Sequence, residues 1–266
     1  MNKIGFIGAG NMGYAMLKGL LSYKNKEDLL FTDKSAERVN WVKNNLNVHA
    51  FYSNKELVNS AKYIVMAIKP QDYSFVLEDI KAVFTKEHIL ISIAPGISIA
   101  SIKQVLGEDA KIVRAMPNTP ALVGAGMSVI SFSEDSFTVS ERNEIFKIFS
   151  SFGEVEEIEE KLMNAVVPIS GSSPAYVFMM IEAMADGGVL AGLPRKLSYK
   201  LAAQAVMGSA KMFLESQTHP GELKDAVCSP AGTTIEAVAV LEKRAFRSSI
   251  IEAMKACLDK ANQMKK

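Results

Sequence analysis

The segment Ile4 to Gly13, I-G-F-I-G-A-G-N-M-G, constrains this chain more than any other. A short apolar run enters Gly8, Gly10 and Gly13, and an amphipathic stretch from Tyr14 to Leu21 follows at once. Strand, tight glycine turn and helix in immediate succession form the arrangement that holds the pyrophosphate of a dinucleotide. Gly8 permits the turn, Gly10 lets the backbone approach the phosphates, and Gly13 lets the helix pack closely on the strand. The phosphates then rest on unpaired N–H groups at the positive end of the helix. Ala9, Asn11 and Met12 complete the expected contact segment. A glycine turn that binds nothing is the competing reading, and the position directly behind the first strand weighs against it.

Strand-like and helix-like patterns alternate through the first part of the chain. Strands are expected at 3–7, 29–32, 63–68, 89–93, 111–115, 127–131 and 154–158, with helices at 36–45, 72–83, 99–106 and 141–150. This alternation predicts an α/β Rossmann-type domain with a doubly wound, mostly parallel sheet. From Leu162 onward the β-branched runs disappear and Ala, Met, Leu and Glu at helical spacing take over. Two domains are therefore expected, residues 1–161 for dinucleotide binding and 162–266 as an all-α domain. Ser173-Pro174 reads as an N-cap followed by proline at the first helical position. The helices at 173–192 and 195–216 are apolar around much of their circumference, through Ala175, Val177, Phe178, Met179, Met180 and Ile181. Some 100 residues cannot enclose that much apolar surface alone, so a subunit interface is expected, against the alternative of a monomeric bundle.

A net charge of +1 gives no electrostatic case for nucleic acid or an anionic membrane as partner. No apolar run reaches the roughly 18 residues of a spanning helix. The two cysteines, Cys228 and Cys257, form no C-x-x-C pair, and His49, His88 and His219 are too scattered to suggest a metal site. A reduced, cytoplasmic protein without a metal is the expectation.

The residue that selects between cofactors should follow the second strand, about 20 residues past the glycines. Asp33 stands there, with Lys34, Ser35 and Arg38 behind it. An acid favours the ribose 2′-hydroxyl of NAD, whereas a cation and a hydroxyl favour the 2′-phosphate of NADP. The residues themselves leave this choice open.

Six further motifs follow in order: A-I-K-P at Ala67–Pro70, M-P-N-T-P at Met116–Pro120, G-S-S-P-A-Y at Gly171–Tyr176, D-G-G-V-L-A-G-L-P at Asp186–Pro194, H-P-G-E-L-K-D at His219–Asp225 and S-P-A-G-T-T-I at Ser229–Ile235. Behind an N-terminal G-x-G-x-x-G, this series resembles the pyrroline-5-carboxylate reductases over essentially the whole chain. The resemblance implies a Rossmann-type domain followed by a helical dimerisation domain, a homo-oligomer built from dimers through the C-terminal helices, and reduction of L-Δ1-pyrroline-5-carboxylate to L-proline with NAD(P)H. It favours NADPH and also admits NADH. It further implies that Gly8–Gly13 hold the pyrophosphate and that Lys34 stands where relatives read the 2′-phosphate. Asn54 corresponds to an adenosine contact, Ala67, Lys69 and Pro70 to a loop along the cofactor, and Ala94 with Pro95 to the next such loop. Asn118 lies near the nicotinamide. Ser229, Thr233 and Thr234, with Gly232, form the substrate loop. Asp33 departs from the family's usual neutral residue, and Ser173 and Ala231 replace glycines, the latter a potential cost if the position needs a positive φ.

A cyclic imine carries its own electrophilic carbon, so its reduction requires neither metal nor nucleophile. It requires positioning, an anchor for the carboxylate and a hydrogen bond to the ring nitrogen. Gly232-Thr233-Thr234 should open a helix whose positive end suits a carboxylate. Thr234 is the expected partner or proton relay of the imine nitrogen. Thr233 has an alternative as a capping-box residue with Glu236. Lys69, at the mouth of a buried strand, is the second candidate catalytic group. Cys228 beside the loop reads as a small apolar residue, and His219 as a surface or cap residue. Two other functions compete. A β-hydroxyacid dehydrogenase would need a lysine one turn after the glycine-rich segment, where Val177-Phe178-Met179-Met180 has none. A non-enzymatic NAD(P)-sensing dimer would have no need of the Ser229–Thr234 loop.

Overall fold

Apolar residues dominate the short central strands, so both faces of the sheet must be covered. A computed structural model, which describes residues 3–263, has that architecture. The strands are β1 (Ile4–Ile7), β2 (Leu29–Thr32), β3 (His49–Ala50), β4 (Tyr63–Met66), β5 (Ile89–Ser92), β6 (Lys111–Pro117), β7 (Gly126–Phe132) and β8 (Gly153–Glu157). They form one sheet in the order β3-β2-β1-β4-β5-β6-β7-β8. All neighbours are parallel except β6 and β7. The chain reverses direction across the sheet between β1 and β4, the switch point at which open α/β sheets bind ligands.

The helices of this region are α1 (Asn11–Leu20), α2 (Ala36–Leu46), α3 (Asn54–Ser60), α4 (Tyr73–Ile80), α5 (Ile99–Leu106), α6 (Val139–Ser150) and α7 (Met163–Val166). Alternate residues of the central strands feed two cores. Phe6, Tyr63, Val65, Ile89 and Ile91 join α1, α2 and α6 on one face. Ile7, Ile64, Met66 and Leu90 join α3, α4 and α5 on the other. The helix α3 and the two-residue β3 carry too few apolar positions for the sequence pattern to reveal them. Glu141 on α6 is 4% exposed and ties two strand starts together, holding Lys62 Nζ at 2.8 Å and Lys111 Nζ at 3.0 Å. Burial alone would raise its pKa, but Lys62, the Thr138 N–H and Lys111 outweigh that and hold it at about 2.

A π-helical turn, Val167–Gly171, precedes the helices α8 (Ser173–Leu190), α9 (Arg195–Ser216), α10 (Pro220–Val227), α11 (Thr233–Lys243) and α12 (Phe246–Gln263). Ser173 is the first residue of α8. The chain divides into two compact units, one up to Ser172 together with the chain from Cys257, the other Ser173–Ala256. In the second unit Gly188 brings α8 against α9. A Cβ at Gly188 would lie 2.8 Å from Ser198 Oγ, and Ala185, Ser198 and Ala202 are buried near this contact. The rest of the unit is open, with Phe178 64%, Met179 70% and Leu214 73% exposed. Among the described residues, no helix is long and apolar enough to cross a membrane.

Candidate functional site

The glycine turn has the form its spacing requires. Gly8 has φ +94°, and a Cβ there would lie 2.5 Å from Ala67 O. Gly13, one turn into α1, approaches Gly8 O just as closely, at 2.5 Å from its ideal Cβ. A Cβ on Gly10 would meet nothing within 4 Å, so this glycine faces open space and not packed protein. Two glycines are thus fixed by the fold, and the third keeps a surface clear at the N-terminus of α1. That surface fits a dinucleotide's pyrophosphate.

A cleft of about 930 Å³ opens there, along the C-terminal ends of β1, β2, β4 and β5 and the loop after β6. Gly8, Gly10, Asn11, Met12, Asp33, Lys34, Asn54, Ala67, Lys69, Pro70, Ala94 and Pro95 all line it. Ala9, Gly13, Ser35 and Asn118 do not line it. Ala9 is fully buried, and its N–H donates to Asp33 Oδ2 at 2.8 Å. The other Asp33 oxygen accepts from Ser35 N at 2.9 Å, and the Ser35 hydroxyl caps α2 by accepting from Arg38 N. Arg38 turns back onto the loop, donating to Ala9 O (2.6 Å) and Gly10 O (3.2 Å) while its guanidinium stacks on Trp41 at 4.3 Å. Lys34 instead reaches over the cleft to Asp72, 2.8 Å away. Its pKa is raised, first by the hydrogen bond to Asp72 and the charge of that carboxylate, and secondarily by Asp33.

Deeper in, Thr32 donates to Asn54 Oδ1 at 2.9 Å, fixing the Asn54 amide at the cleft wall. The Tyr73 hydroxyl lies 3.0 Å from Met66 O and 2.9 Å from Ser92 Oγ, joining the ends of β4 and β5 beneath the cleft floor. Burial pushes its phenol pKa up, so it stays protonated and available as a donor. Lys69 is exposed and has no ion-pair partner among the described residues. Asn118 acts within the protein. It accepts from Met127 N (2.8 Å) and donates to Ser170 O (3.2 Å), fastening the loop after β6 to the π-helical turn. Sequence reading missed Asp72, Phe75 and Thr119 as lining residues. The first two lie within five residues of the A-I-K-P motif, and Phe75 is 78% exposed.

In the other unit, Ser229, Gly232, Thr233 and Thr234 form one turn at the start of α11. Gly232 N donates to Ser229 O at 3.0 Å. A Cβ on Gly232 would stand 2.3 Å from Ser229 Oγ, so any other residue would displace that hydroxyl. Gly232 itself is the N-cap and no side chain caps the helix. The capping-box alternative for Thr233 is therefore not realised, because Thr233 already lies inside the first turn. Neither threonine hydroxyl has a partner among the described residues, and the first N–H groups of a helix have no intrahelical acceptor. Ala231 just before has φ +56°, the left-handed conformation that glycine would adopt freely. His219 caps α10 by accepting from Gly221 N at 3.1 Å.

A glycine cradle at a topological switch point defines a dinucleotide-binding oxidoreductase fold. Two family models agree with that, one described as NADP oxidoreductase, coenzyme F420-dependent, over residues 3–96, the other as pyrroline-5-carboxylate reductase dimerisation, over 160–264. The pyrroline-5-carboxylate reductase of Escherichia coli (strain K12) is 47% identical over 266 residues, covering 99% of this chain and 98% of that protein. The Synechocystis enzyme is 42% identical over 99% and 98%. Among solved structures, pyrroline carboxylate reductase of Plasmodium falciparum with NADP bound superposes with a TM-score of 0.90 at 35% identity, covering 100% of this chain and 98% of that one. The Coxiella burnetii reductase does so at 0.92 and 32%, covering 100% and 99%. The chain belongs to the pyrroline-5-carboxylate reductase family.

Proposed function

We propose that this chain reduces L-Δ1-pyrroline-5-carboxylate to L-proline with NAD(P)H, the last step of proline biosynthesis. The observation that carries the reading is the open face of Gly10 between two glycines closed by packing, in a chain with a full-length likeness to these reductases. When bound, the reduced nicotinamide supplies the hydride that adds to the imine carbon. The protein's part is to hold and to orient. Gly8–Gly13 receive the pyrophosphate on backbone N–H groups, and Asn54, Ala67, Lys69, Pro70, Ala94 and Pro95 shape the rest of the nucleotide's path. The start of α11 offers its positive end to the substrate carboxylate, with the Ser229 and Thr233 hydroxyls alongside. Thr234, free of any capping duty, hydrogen-bonds the ring nitrogen as it becomes an amine. Lys69 is a second polar group at the cleft mouth and serves to orient cofactor or substrate.

NADPH is placed ahead of NADH. Asp33 is held by two backbone amides, whereas Lys34 lines the cleft at the end of β2 as a cation for a 2′-phosphate. The division of labour assigns nucleotide binding to 1–161 and substrate binding and dimer formation to 162–266; the outermost bounds, 1 and 266, lie outside the described residues. The enzyme works as dimers, or multiples of them, joined through the C-terminal helices. It is placed in the cytoplasm, a setting that suits two unpaired cysteines.

The test is loss of reduced cofactor on adding DL-pyrroline-5-carboxylate, with NADPH and NADH in parallel. Oxidation is expected with both and faster with NADPH. Folded protein that binds nucleotide yet oxidises neither would sink the reductase reading. Thr234→Ala is expected to lower turnover roughly 10²-fold with cofactor affinity kept, the scale of losing one transition-state hydrogen bond. An equal loss of cofactor binding would make Thr234 structural.

A further inference from the structure

We propose that Asp72 is a specificity-determining residue for the cofactor. Paired with Lys34 across the cleft, it occupies the lysine that the end of β2 offers to a 2′-phosphate and so weakens NADP(H) relative to NAD(H). The proposal rests on the reading of this cleft as the dinucleotide site.

Three observations carry it. First, the other groups near the end of β2 are already engaged. Asp33 is bound by Ala9 N and Ser35 N, the Ser35 hydroxyl by its helix, and the Arg38 guanidinium by two loop carbonyls and Trp41. Of the two cations at this strand end, Lys34 lines the cleft and Arg38 does not. Second, the Asp72 carboxylate has no local duty. Asp72 ends the 3₁₀ turn Pro70–Asp72 and occupies the N-cap position of α4, yet its side chain caps nothing. Its one side-chain partner among the described residues is Lys34 Nζ, 38 residues away in sequence. Third, both residues line the same cleft.

Chemistry then separates the two nucleotides. A 2′-hydroxyl is neutral and can bind with the pair intact. A 2′-phosphate brings close to two negative charges, must draw Lys34 away from Asp72, and leaves that carboxylate unpaired beside it. Exposed ion pairs are individually weak, so the expected effect is a tuning of preference and not an absolute block.

Calorimetric titration of NADP⁺ and NAD⁺ into the full chain and its Asp72→Asn, Lys34→Ala and doubly substituted forms tests this. Asp72→Asn is expected to tighten NADP⁺ about threefold to tenfold and to leave NAD⁺ within about twofold, with the gain shrinking at high salt. In the Lys34→Ala background the same substitution should change NADP⁺ less than about twofold, because its effect passes through Lys34. Asp72→Ser, an uncharged residue that suits an N-cap position, repeats the measurement if Asp72→Asn melts early. An unchanged NADP⁺/NAD⁺ ratio in both Asp72 variants, or an equal gain with Lys34 removed, would overturn the proposal. Failure of the folded, unaltered chain to bind either nucleotide would overturn the assignment of the cleft, and this inference with it.

Discussion

The sheet unit encloses its own apolar side chains and the helical unit does not. Every residue of β1, β2, β4 and β5 is buried, with one core on each face. In α8 only Ala185 is buried, in α9 only Ser198 and Ala202, and in α10, α11 and α12 none. Yet α8 is the more apolar in composition, with Phe178, Met179, Met180, Ile181 and Met184 around its circumference. Apolar content alone therefore does not make a core; it must face a second layer. The sheet finds that layer within its own chain. The helices need a second copy, as the dimerisation model over 160–264 implies.

The largest effect should come from breaking that missing layer. Phe178→Glu puts a charge on an exposed apolar helix face and is expected to weaken self-association by 10² or more, about 3 kcal/mol, read by light scattering across a dilution series. The sheet unit, with its closed core, should keep its share of the unfolding signal. An unchanged oligomer would mean that association uses another surface.

Within the sheet unit the sharpest electrostatic dependence belongs to Glu141. Its ordinary pKa of 4.5 falls to about 2 in the fold, so the stabilisation is fully present above pH 4.5 and is lost as pH falls towards 2. Glu141→Gln should cost on the order of 2 kcal/mol at neutral pH and show almost no further loss across that acid window. Denaturant melts of both proteins from pH 7 down to pH 2.5 would show the two curves converging. Parallel curves would mean that Lys62 and Lys111 do not hold the carboxylate.

Gly10→Ala sharpens the contrast between glycines that serve the fold and the one that serves a ligand. Nothing lies within 4 Å of its missing Cβ, so stability should move by less than about 0.5 kcal/mol while nucleotide affinity falls about tenfold or more. A drop in melting temperature without loss of affinity would place Gly10 with Gly8 and Gly13.

The same contrast explains what the sequence disclosed. Short apolar runs between glycine turns and amphipathic helices have two periods that cannot be confused, so β1, β2 and α5 lie where the pattern puts them. The glycine turn and the residues along the strand ends were legible because position in a doubly wound sheet dictates their exposure. Side-chain commitments were not. Nothing in D-K-S fixes Asp33 on Ala9 N or sends Lys34 to Asp72, since those partners come from segments 24 and 38 residues away. The Thr233-x-x-Glu236 spacing suggested a capping box, but the helix starts one residue earlier, on Gly232. The positive φ of Ala231 was legible only as a condition, met once the backbone was known.

Ala231 gives the smallest and most discriminating test. An alanine at φ +56° carries a steric cost of about 1 kcal/mol that glycine avoids, partly offset by glycine's greater freedom in the unfolded chain. Ala231→Gly should thus stabilise by about 0.5 kcal/mol. Ala245, at φ +57° just beyond α11, has the same geometry away from the Ser229–Thr234 turn. Ala245→Gly should give a similar gain and leave kinetics alone. If the strain at Ala231 holds the turn in its binding shape, its release should raise KM for pyrroline-5-carboxylate with kcat little changed, while the Ala245 variant shows no such rise. If both variants gain stability and both keep KM, the left-handed residue is a tolerated substitution and the turn takes its shape from Gly232 and Ser229 alone.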